Sequence, residues 1–274
     1  MASKLAYLNL GCGATFHTDW TNVDFVSSSE YVKQHNLLDG VPYEDNQFDV
    51  VYHSHVLEHF PKKNAHTFIK ECYRVCKPGA IIRIAIPDLE QIALNYIKYL
   101  NESITGVPGA EQKYAWTMLE LFDQVVRSQT GGDMIAYIKD TSNNNDAFLL
   151  ERNGQEVQRI MDMYRGSEVA TSVSYSFVDR FMEMPKRIRR KLIALLLGKE
   201  YAAYQIGKFR MEGEIHQWMY DRYSLKKMLE EVGFKNVQVK NKFESSIPDW
   251  ERFNLDGKEG ILRKPDSLFV EAVK

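Results

Sequence analysis

Apolar residues in the first 90 positions occur either in short runs or at helical spacing. The short runs predict strands, whereas residues 63–76 carry apolar side chains on one helical face and stop before Pro78-Gly79. The predicted strands are 7–10, 20–24, 48–52 and 80–86. Strands that alternate with helices are typical of a mostly parallel, doubly wound α/β sheet with helices on both faces.

The pattern changes over residues 91–211, which show helical periodicity and few strand signals. We interpret this stretch as a mostly helical insertion that serves as a lid or a substrate-recognition subdomain. The α/β pattern returns in residues 212–274, where a helix is predicted from Ser224, as its N-cap, to Val232. Residues 1–90 and 212–274 are therefore predicted to form one core.

Composition narrows the classes of function. The 35 Lys and Arg against 37 Asp and Glu give a formal net charge of −2, whereas nucleic-acid-binding domains are usually basic, so we expect no nucleic-acid partner. The longest aliphatic run, 192–197, is far shorter than the about 20 residues that span a bilayer. The N-terminus lacks the apolar region of a secretory signal. Three cysteines without a C-x-x-C pair indicate reduced thiols in a cytoplasmic protein.

A glycine turn, Gly11-Cys12-Gly13, follows the first predicted strand. Glycines at such a turn let the backbone approach a nucleotide-like ligand, although a G-x-G sequence also fits a plain loop. Asp24 ends the second predicted strand, where a carboxylate can accept hydrogen bonds from ribose hydroxyls.

The spacing of these residues distinguishes between cofactors. Asp24 lies eleven residues after Gly13, whereas the acid of a dinucleotide-binding fold comes about 20 residues on. Phe16 stands where a third glycine would be expected. Both differences argue against NAD and favour an adenosine cofactor without a pyrophosphate.

Six motifs in order, at compatible spacing, resemble those of class I S-adenosylmethionine-dependent methyltransferases, most closely the type 11 group found with bacterial glycan-biosynthesis genes. The motifs are Leu8–Gly13, Asn22–Asp24, Asn36–Leu37, Asp45–Asp49, His55–His59 and Glu71–Gly79. The resemblance covers residues 5–90 closely and resumes at 216–239 and 263–271. It implies a Rossmann-like fold, S-adenosylmethionine as the cofactor and S-adenosylhomocysteine as the product.

The resemblance also implies where the cofactor binds. The two glycines of the turn are expected beside the methionine and sulfonium end, Asp24 at the ribose, and Asn36-Leu37 at the adenine, where the family more often has Asp-Leu. These residues follow predicted strands, and ligands of open α/β sheets bind at the carboxyl ends of strands. The cofactor-binding candidates are Asn9, Leu10, Gly11, Cys12, Gly13, Asp24, Phe25, Asn36, Leu37 and Ser54.

Methyl transfer to a sugar hydroxyl needs alignment and a proton acceptor, because a neutral alcohol is a poor nucleophile. Histidine suits this task near neutral pH. The catalytic candidates are His55, His59, His216 and Asp88. His55 comes first because it lies on the loop after a predicted strand, where the resemblance implies that it faces the transferred methyl group. For each, the alternative is a structural role in capping a helix or fixing a loop.

A metal is the alternative use of one of these motifs. His55, Glu58 and His59 stand at i, i+3 and i+4, so a helix would place them on one face, where they could bind a divalent ion. Many relatives keep the Glu-His pair with no metal implied, and we expect none here.

The insertion contains a basic segment. Five cations in residues 185–191 precede the aliphatic run 192–197, as in a short amphipathic helix. Such a helix can contact an anionic membrane surface or a phosphate-bearing substrate. We favour the alternative, a solvated charged face whose apolar side packs in the core or in a homo-oligomer interface.

The sequence predicts an S-adenosylmethionine-dependent methyltransferase. The family resemblance favours O-methylation of a sugar hydroxyl on a nucleotide-sugar or a surface glycan, whereas the residues alone indicate only methyl transfer. One alternative is methylation of another small molecule, such as a quinone precursor or an amine. The other is a cofactor-binding scaffold without catalysis.

Overall fold

A seven-stranded sheet runs through the computed structural model, which describes residues 5–27, 29–165 and 188–274. The strands are β1 (Tyr7–Leu10), β2 (Thr21–Asp24), β3 (Val32–Gln34), β4 (Phe48–Ser54), β5 (Cys76–Pro87), β6 (Lys235–Lys240) and β9 (Ser267–Val273), while β7 (Gly257–Lys258) and β8 (Ile261–Leu262) form a separate hairpin. The order across the sheet is β3-β2-β1-β4-β5-β9-β6. Strands β1 to β5 pair in parallel and β9 pairs antiparallel with β5 and β6, which confirms the predicted mostly parallel α/β sheet.

The helices are α1 (Lys62–Val75), α2 (Leu89–Ile104), α3 (Ala110–Val126), α4 (Gly132–Lys139), α5 (Asp146–Arg165), α6 (residues 188–197), α7 (Tyr201–Arg210) and α8 (Arg222–Val232). Helix α1 ends one residue before the predicted end, and Pro78-Gly79 lie inside β5, which is longer than predicted. Among the described residues, no helix is long and apolar enough to cross a membrane.

One face of the sheet packs against α1 and α8. Alternate strand residues such as Leu8 and Val51 meet Ile69 of α1 and Leu229 of α8 in the largest apolar cluster. Helix α8 begins at Arg222, and its N-cap is Asp221 rather than the predicted Ser224. The Asp221 carboxylate accepts from the backbone N–H of Ser224, whose hydroxyl accepts from the backbone N–H of Asp221, so the two residues form a capping box.

The opposite face carries an aromatic cluster. Tyr7 of β1 and Tyr52 of β4 pack there against Trp20, Trp250 and Phe253. The last two belong to a 3₁₀ helix between β6 and β7. The connections after β1 and β2 contain no helix in the described residues, and they are shorter than a usual helical crossover of a dozen residues or more. Loop residues therefore cover the sheet at β1 and β2.

Helices α3, α4 and α5 build a small core of their own around Trp116, Ile138 and Leu149. It lies within the predicted insertion and is separate from the main cluster. Residues 166–187 lie outside the described chain, and this excludes Pro185, Lys186 and Arg187 of the basic segment.

Candidate active site

The turn after β1 depends on its two glycines in different ways. Gly11 has φ +64° and Gly13 has φ +54°. A Cβ on Gly11 would lie 2.4 Å from Val56 Cγ2, whereas a Cβ on Gly13 would meet nothing within 4 Å. Gly11 is therefore required by packing, and Gly13 leaves an open approach to the backbone.

Asp24 fixes this turn to the end of β2. Its Oδ2 accepts from the N–H of Gly13 at 2.7 Å, and its Oδ1 accepts from the N–H of Val26 at 3.0 Å. Each carboxylate oxygen can accept a further hydrogen bond, so the side chain can still take up ribose hydroxyls.

A cavity of ≈ 430 Å³ opens beside the glycine turn, within the usual size range of ligand sites. It is lined by Asn9, Gly11, Cys12, Gly13, Ala14, Thr15, Tyr52, Ser54, His55, Gln155, Glu156, Arg159, Arg263 and Lys264. Five of the ten cofactor-binding candidates are thus brought together: Asn9, Gly11, Cys12, Gly13 and Ser54.

The other five cofactor candidates are not part of the lining of this cavity. The side chain of Leu10 is buried in the main core, and Phe25 is 65% exposed. Asn36 caps a 3₁₀ helix by accepting from the N–H of Leu38 at 3.1 Å. Together with Asp24 and Leu37, these residues follow or end strands β1 to β3 at the carboxyl edge of the sheet.

The sequence did not predict that α5 and the loop before β9 contribute residues to the cavity. Gln155, Glu156 and Arg159 come from α5, while Arg263 and Lys264 come from the loop before β9. An Arg263 guanidinium N–H donates to Ser54 Oγ at 3.1 Å, and Lys264 Nζ lies 2.7 Å from Glu156 Oε2. The Arg-Lys-Pro-Asp string of the resemblance was the one signal for the loop; nothing in the sequence marked α5.

A second, smaller cavity of ≈ 150 Å³ adjoins the insertion helices. Its lining includes Trp116, Gln124, Asn153 and Asp266, besides apolar residues of α4 and α5. Three residues line both cavities, and they are His55, Glu156 and Lys264. The two cavities therefore meet at these side chains.

His55 follows β4 in a left-handed conformation, with φ +54° and its N–H donating to Ala85 O. Burial, together with the positive charges of Lys264 and Arg263, holds the pKa of His55 well below its ordinary value, so the imidazole is neutral at neutral pH. Nε2 lies 2.8 Å from Ser267 Oγ, and Nδ1 lies 3.2 Å from Glu58 Oε1. One of these two contacts must break before a ring nitrogen of His55 can take a proton from the molecule that accepts the methyl group.

The remaining catalytic candidates lie outside the lining of both cavities. His59 and His216 pack edge to face with ring centroids 5.0 Å apart, beside buried Glu58. Burial lowers the pKa of both imidazoles and raises the pKa of Glu58 to about 8. Asp88 caps α2 by accepting from the N–H of Gln91 at 3.1 Å, and burial raises its pKa.

Comparison with known proteins finds a similarity in the N-terminal part of the chain. Residues 8–84 match the family model described as a methyltransferase domain. This segment contains β1 to β4, the glycine turn, Asp24, His55 and α1. The search of curated proteins found no match to the chain.

Solved structures give weaker likenesses. A SAM-dependent methyltransferase from Archaeoglobus fulgidus is 13% identical, over 98% of this chain and 86% of that one, with a TM-score of 0.38. One from Aquifex aeolicus is 9% identical, over 98% and 81%, with a TM-score of 0.35. The [4+2]-cyclase SpnF is 21% identical over 30% of this chain, which spans only 38% of the cyclase, with a TM-score of 0.25.

The sheet order and the matched segment together support a Rossmann-like, S-adenosylmethionine-dependent methyltransferase in general, with S-adenosylmethionine as its cofactor.

Proposed function

We propose that the chain transfers a methyl group from S-adenosylmethionine to a sugar hydroxyl, on a nucleotide-sugar or a surface glycan. One observation carries the proposal. His55, Glu156 and Lys264 line both the cavity at the glycine turn and the cavity at the insertion helices. A methyl donor in the first cavity and an acceptor in the second would meet at these residues.

The residues at the carboxyl ends of β1, β2 and β3 suit an adenosine cofactor without phosphates. The open backbone at Gly13 admits a close approach, Asp24 offers carboxylate oxygens for a ribose, and Asn36-Leu37 follow β3 near the adenine position that the resemblance implies. When bound, S-adenosylmethionine supplies an electrophilic methyl group on its sulfonium.

The chain itself aligns the acceptor and removes its proton. The buried, neutral imidazole of His55 is the proposed proton acceptor once its contact with Ser267 or Glu58 opens. Lys264 and Glu156 form an ion pair at the same junction, and we propose that it orients the acceptor hydroxyl. His59, His216 and Asp88 are then positioning residues.

The lining of the smaller cavity supports a sugar. Gln124 offers an amide group that both donates and accepts hydrogen bonds. Asn153 Oδ1 and Asp266 Oδ1 are buried without a hydrogen-bond partner and can accept from sugar hydroxyls. In this proposal, residues 91–211 supply the acceptor wall, and the core of 1–90 and 212–274 supplies the cofactor site.

The first test measures cofactor binding. Calorimetric titration with S-adenosylmethionine and S-adenosylhomocysteine should give binding to the wild type. Asp24→Ala should weaken it by about ten- to hundredfold, since hydrogen bonds to charged groups contribute about 1.5–3 kcal/mol. Asp162→Ala, on the exposed surface of α5, is the matched control. Absence of binding to the folded wild type would overturn the proposal.

The second test identifies the acceptor. S-adenosylhomocysteine formation is measured with panels of sugar nucleotides, glycans, quinone precursors and amines. Turnover on a sugar panel supports the proposal. Turnover on quinone precursors or amines alone replaces the sugar with another small molecule, and cofactor binding without turnover on any panel favours a non-catalytic scaffold.

We further propose a peripheral contact of α6 with an anionic membrane surface. Leu195 and Leu196 are 80% and 83% exposed, and Arg189, Arg190 and Lys191 precede them on the same helix. The sequence alone favoured a helix whose apolar side packs in the core or in a homo-oligomer interface. Because the two leucines are exposed, we propose the membrane contact instead.

Cys12, Cys72 and Cys76 are free and buried. A cytoplasmic location stays a prediction.

A further inference from the structure

Two segments far apart in sequence converge behind His55. Glu58 and His59 belong to the 3₁₀ turn after β4, and His216 precedes α8. One ligand atom from each of the three side chains lies within 4.8 Å of the others. The backbone already joins the segments, because the N–H of Gln217 donates to Glu58 O at 2.7 Å.

The cluster contains buried polar atoms without hydrogen-bond partners. Glu58 is 0% exposed and His216 is 3% exposed. Neither carboxylate oxygen of Glu58 nor Nδ1 of His216 forms a hydrogen bond; His55 Nδ1, 3.2 Å from Glu58 Oε1, is not aligned for one. Burying such groups unpaired is costly, so an additional partner at this point would stabilise the fold.

The tautomer of His59 is fixed by its neighbour. Nδ1 lies 3.0 Å from Ile215 O, and since a carbonyl only accepts, Nδ1 carries the proton. Nε2 therefore keeps its lone pair. A histidine that donates one ring N–H to a backbone carbonyl and keeps the other nitrogen free is the usual arrangement of a metal ligand.

We propose that Glu58, His59 and His216 bind one divalent first-row transition-metal ion of the Zn²⁺ kind. Two imidazoles and one carboxylate are a known donor set for such ions, whereas Mg²⁺ and Ca²⁺ prefer oxygen ligands alone. The ion would tie the turn after β4 to the segment that leads into α8. The inference does not depend on the proposed function, because it concerns binding of the ion itself.

The proposed site differs from the pattern in the sequence. The i, i+3, i+4 spacing groups His55 with Glu58 and His59 as on an α-helix, but His55 follows β4 in a left-handed conformation and Glu58 and His59 lie in a 3₁₀ turn. His55 points one ring nitrogen at Ser267, and His216 takes its place in the cluster. The sequence led us to expect no metal, and with His216 in place of His55 we propose a metal site.

The test uses the full chain, treated with a chelator and dialysed, without cofactor or acceptor. Calorimetric titration with Zn²⁺ should give one site per chain. Glu58→Gln and His216→Ala should each weaken Zn²⁺ binding by at least about tenfold, a loss of about 1.4 kcal/mol. His66→Ala, on α1 and away from the cluster, should bind as the wild type does.

Two outcomes overturn the site: a wild type without one-to-one uptake, or Glu58→Gln and His216→Ala variants with wild-type affinity. Circular dichroism shows whether each variant is folded. X-ray absorption of the Zn²⁺-loaded wild type provides an answer that needs no variant. Two imidazole ligands support the site, and a spectrum without imidazole ligands contradicts it.

Discussion

At the scale of single residues, Arg83 on β5 is a charged side chain that is completely buried, with 0% exposure. Its guanidinium donates to Asp256 Oδ2 at 2.8 Å and to Glu271 Oε1 at 2.7 Å. These pairs join the centre of the sheet to β9 and to the loop that covers the aromatic cluster. Removal of one partner from a buried pair leaves a charge without compensation.

Glu271→Gln should therefore lower the free energy of unfolding at pH 7 by about 3 kcal/mol. Burial alone would raise the pKa of Glu271, but hydrogen bonds from Ser245 and from the N–H of Ser246, with the charge of Arg83, hold it below its ordinary value. A lowered pKa contributes stability above the unfolded pKa, about 4.3, and loses it as the pH falls through the folded pKa.

Urea unfolding of wild type and variant between pH 3 and pH 7 measures this effect. The difference between them should be largest near neutral pH and shrink in acid. Glu230→Gln, on the exposed side of α8, should change stability by less than about 0.5 kcal/mol. A difference for Glu271→Gln that does not vary with pH would contradict the argument.

A second prediction at this scale concerns His55. Asn tolerates the left-handed backbone conformation of this position and lacks the basic imidazole. His55→Asn should reduce kcat by about 10²- to 10⁴-fold, the usual contribution of a general base. Its affinity for S-adenosylmethionine should stay within a few-fold of the wild type.

The measurement combines S-adenosylhomocysteine formation with calorimetric titration of the cofactor. His66→Asn on α1 is the control for a histidine outside the site and should retain full turnover. Wild-type kcat in folded His55→Asn would remove His55 from the proposed mechanism.

At the scale of elements, α5 is fastened to the loop before β9 at a kink. Gly154 interrupts the helix with φ 62° and ψ −141°. After the kink, the N–H of Glu156 donates to Arg263 O at 3.3 Å; just before it, Asn153 Nδ2 donates to Asp266 Oδ2 at 3.1 Å. The kink therefore brings α5 against the loop that lines both cavities.

Gly154→Ala should loosen this attachment. A Cβ there would lie 2.5 Å from Pro265 Cδ and 2.7 Å from Leu262 O, and overpacking of this kind costs about 1–3 kcal/mol. The variant should unfold at lower urea concentration and lose hydrogen-exchange protection at the Glu156 amide. Gly207→Ala in α7 is the matched control, because its Cβ would meet nothing within 4 Å and should not destabilise the helix. Unchanged protection in Gly154→Ala would show that the kink does not hold α5.

The sequence predicted those elements whose pattern is local. Strands β1, β2 and β4 and helix α1 follow from apolar spacing, and the parallel sheet follows from their alternation. The kink at Gly154 and the meeting of Glu58 with His216 could not be predicted, because both depend on contacts between segments distant along the chain. The aromatic cluster on the second face of the sheet could not be predicted either, because Trp250 and Phe253 lie in a stretch without strand or helix periodicity.

At the scale of the whole molecule, a net charge of −2 conceals an uneven distribution. Arg159, Arg263 and Lys264 line the larger cavity against a single acid, Glu156, in the described part of that lining. A second group of cations stands on α6, next to its exposed leucines. The overall charge therefore describes neither surface.

The exposed leucines of α6 give the prediction at this scale. The wild type should co-sediment with vesicles containing an anionic lipid, more strongly at low salt, because each cation near such a surface contributes about 1 kcal/mol. Leu195→Ser with Leu196→Ser should weaken binding by at least about tenfold, since burying one leucine contributes about 1.5–3 kcal/mol. Leu94→Ser, at a 59% exposed leucine of α2, is the matched control and should bind as the wild type does. A wild type that stays in the supernatant would exclude the membrane contact. If sedimentation equilibrium then finds a dimer that the double variant loses, the same leucines form an interface between two copies of the chain.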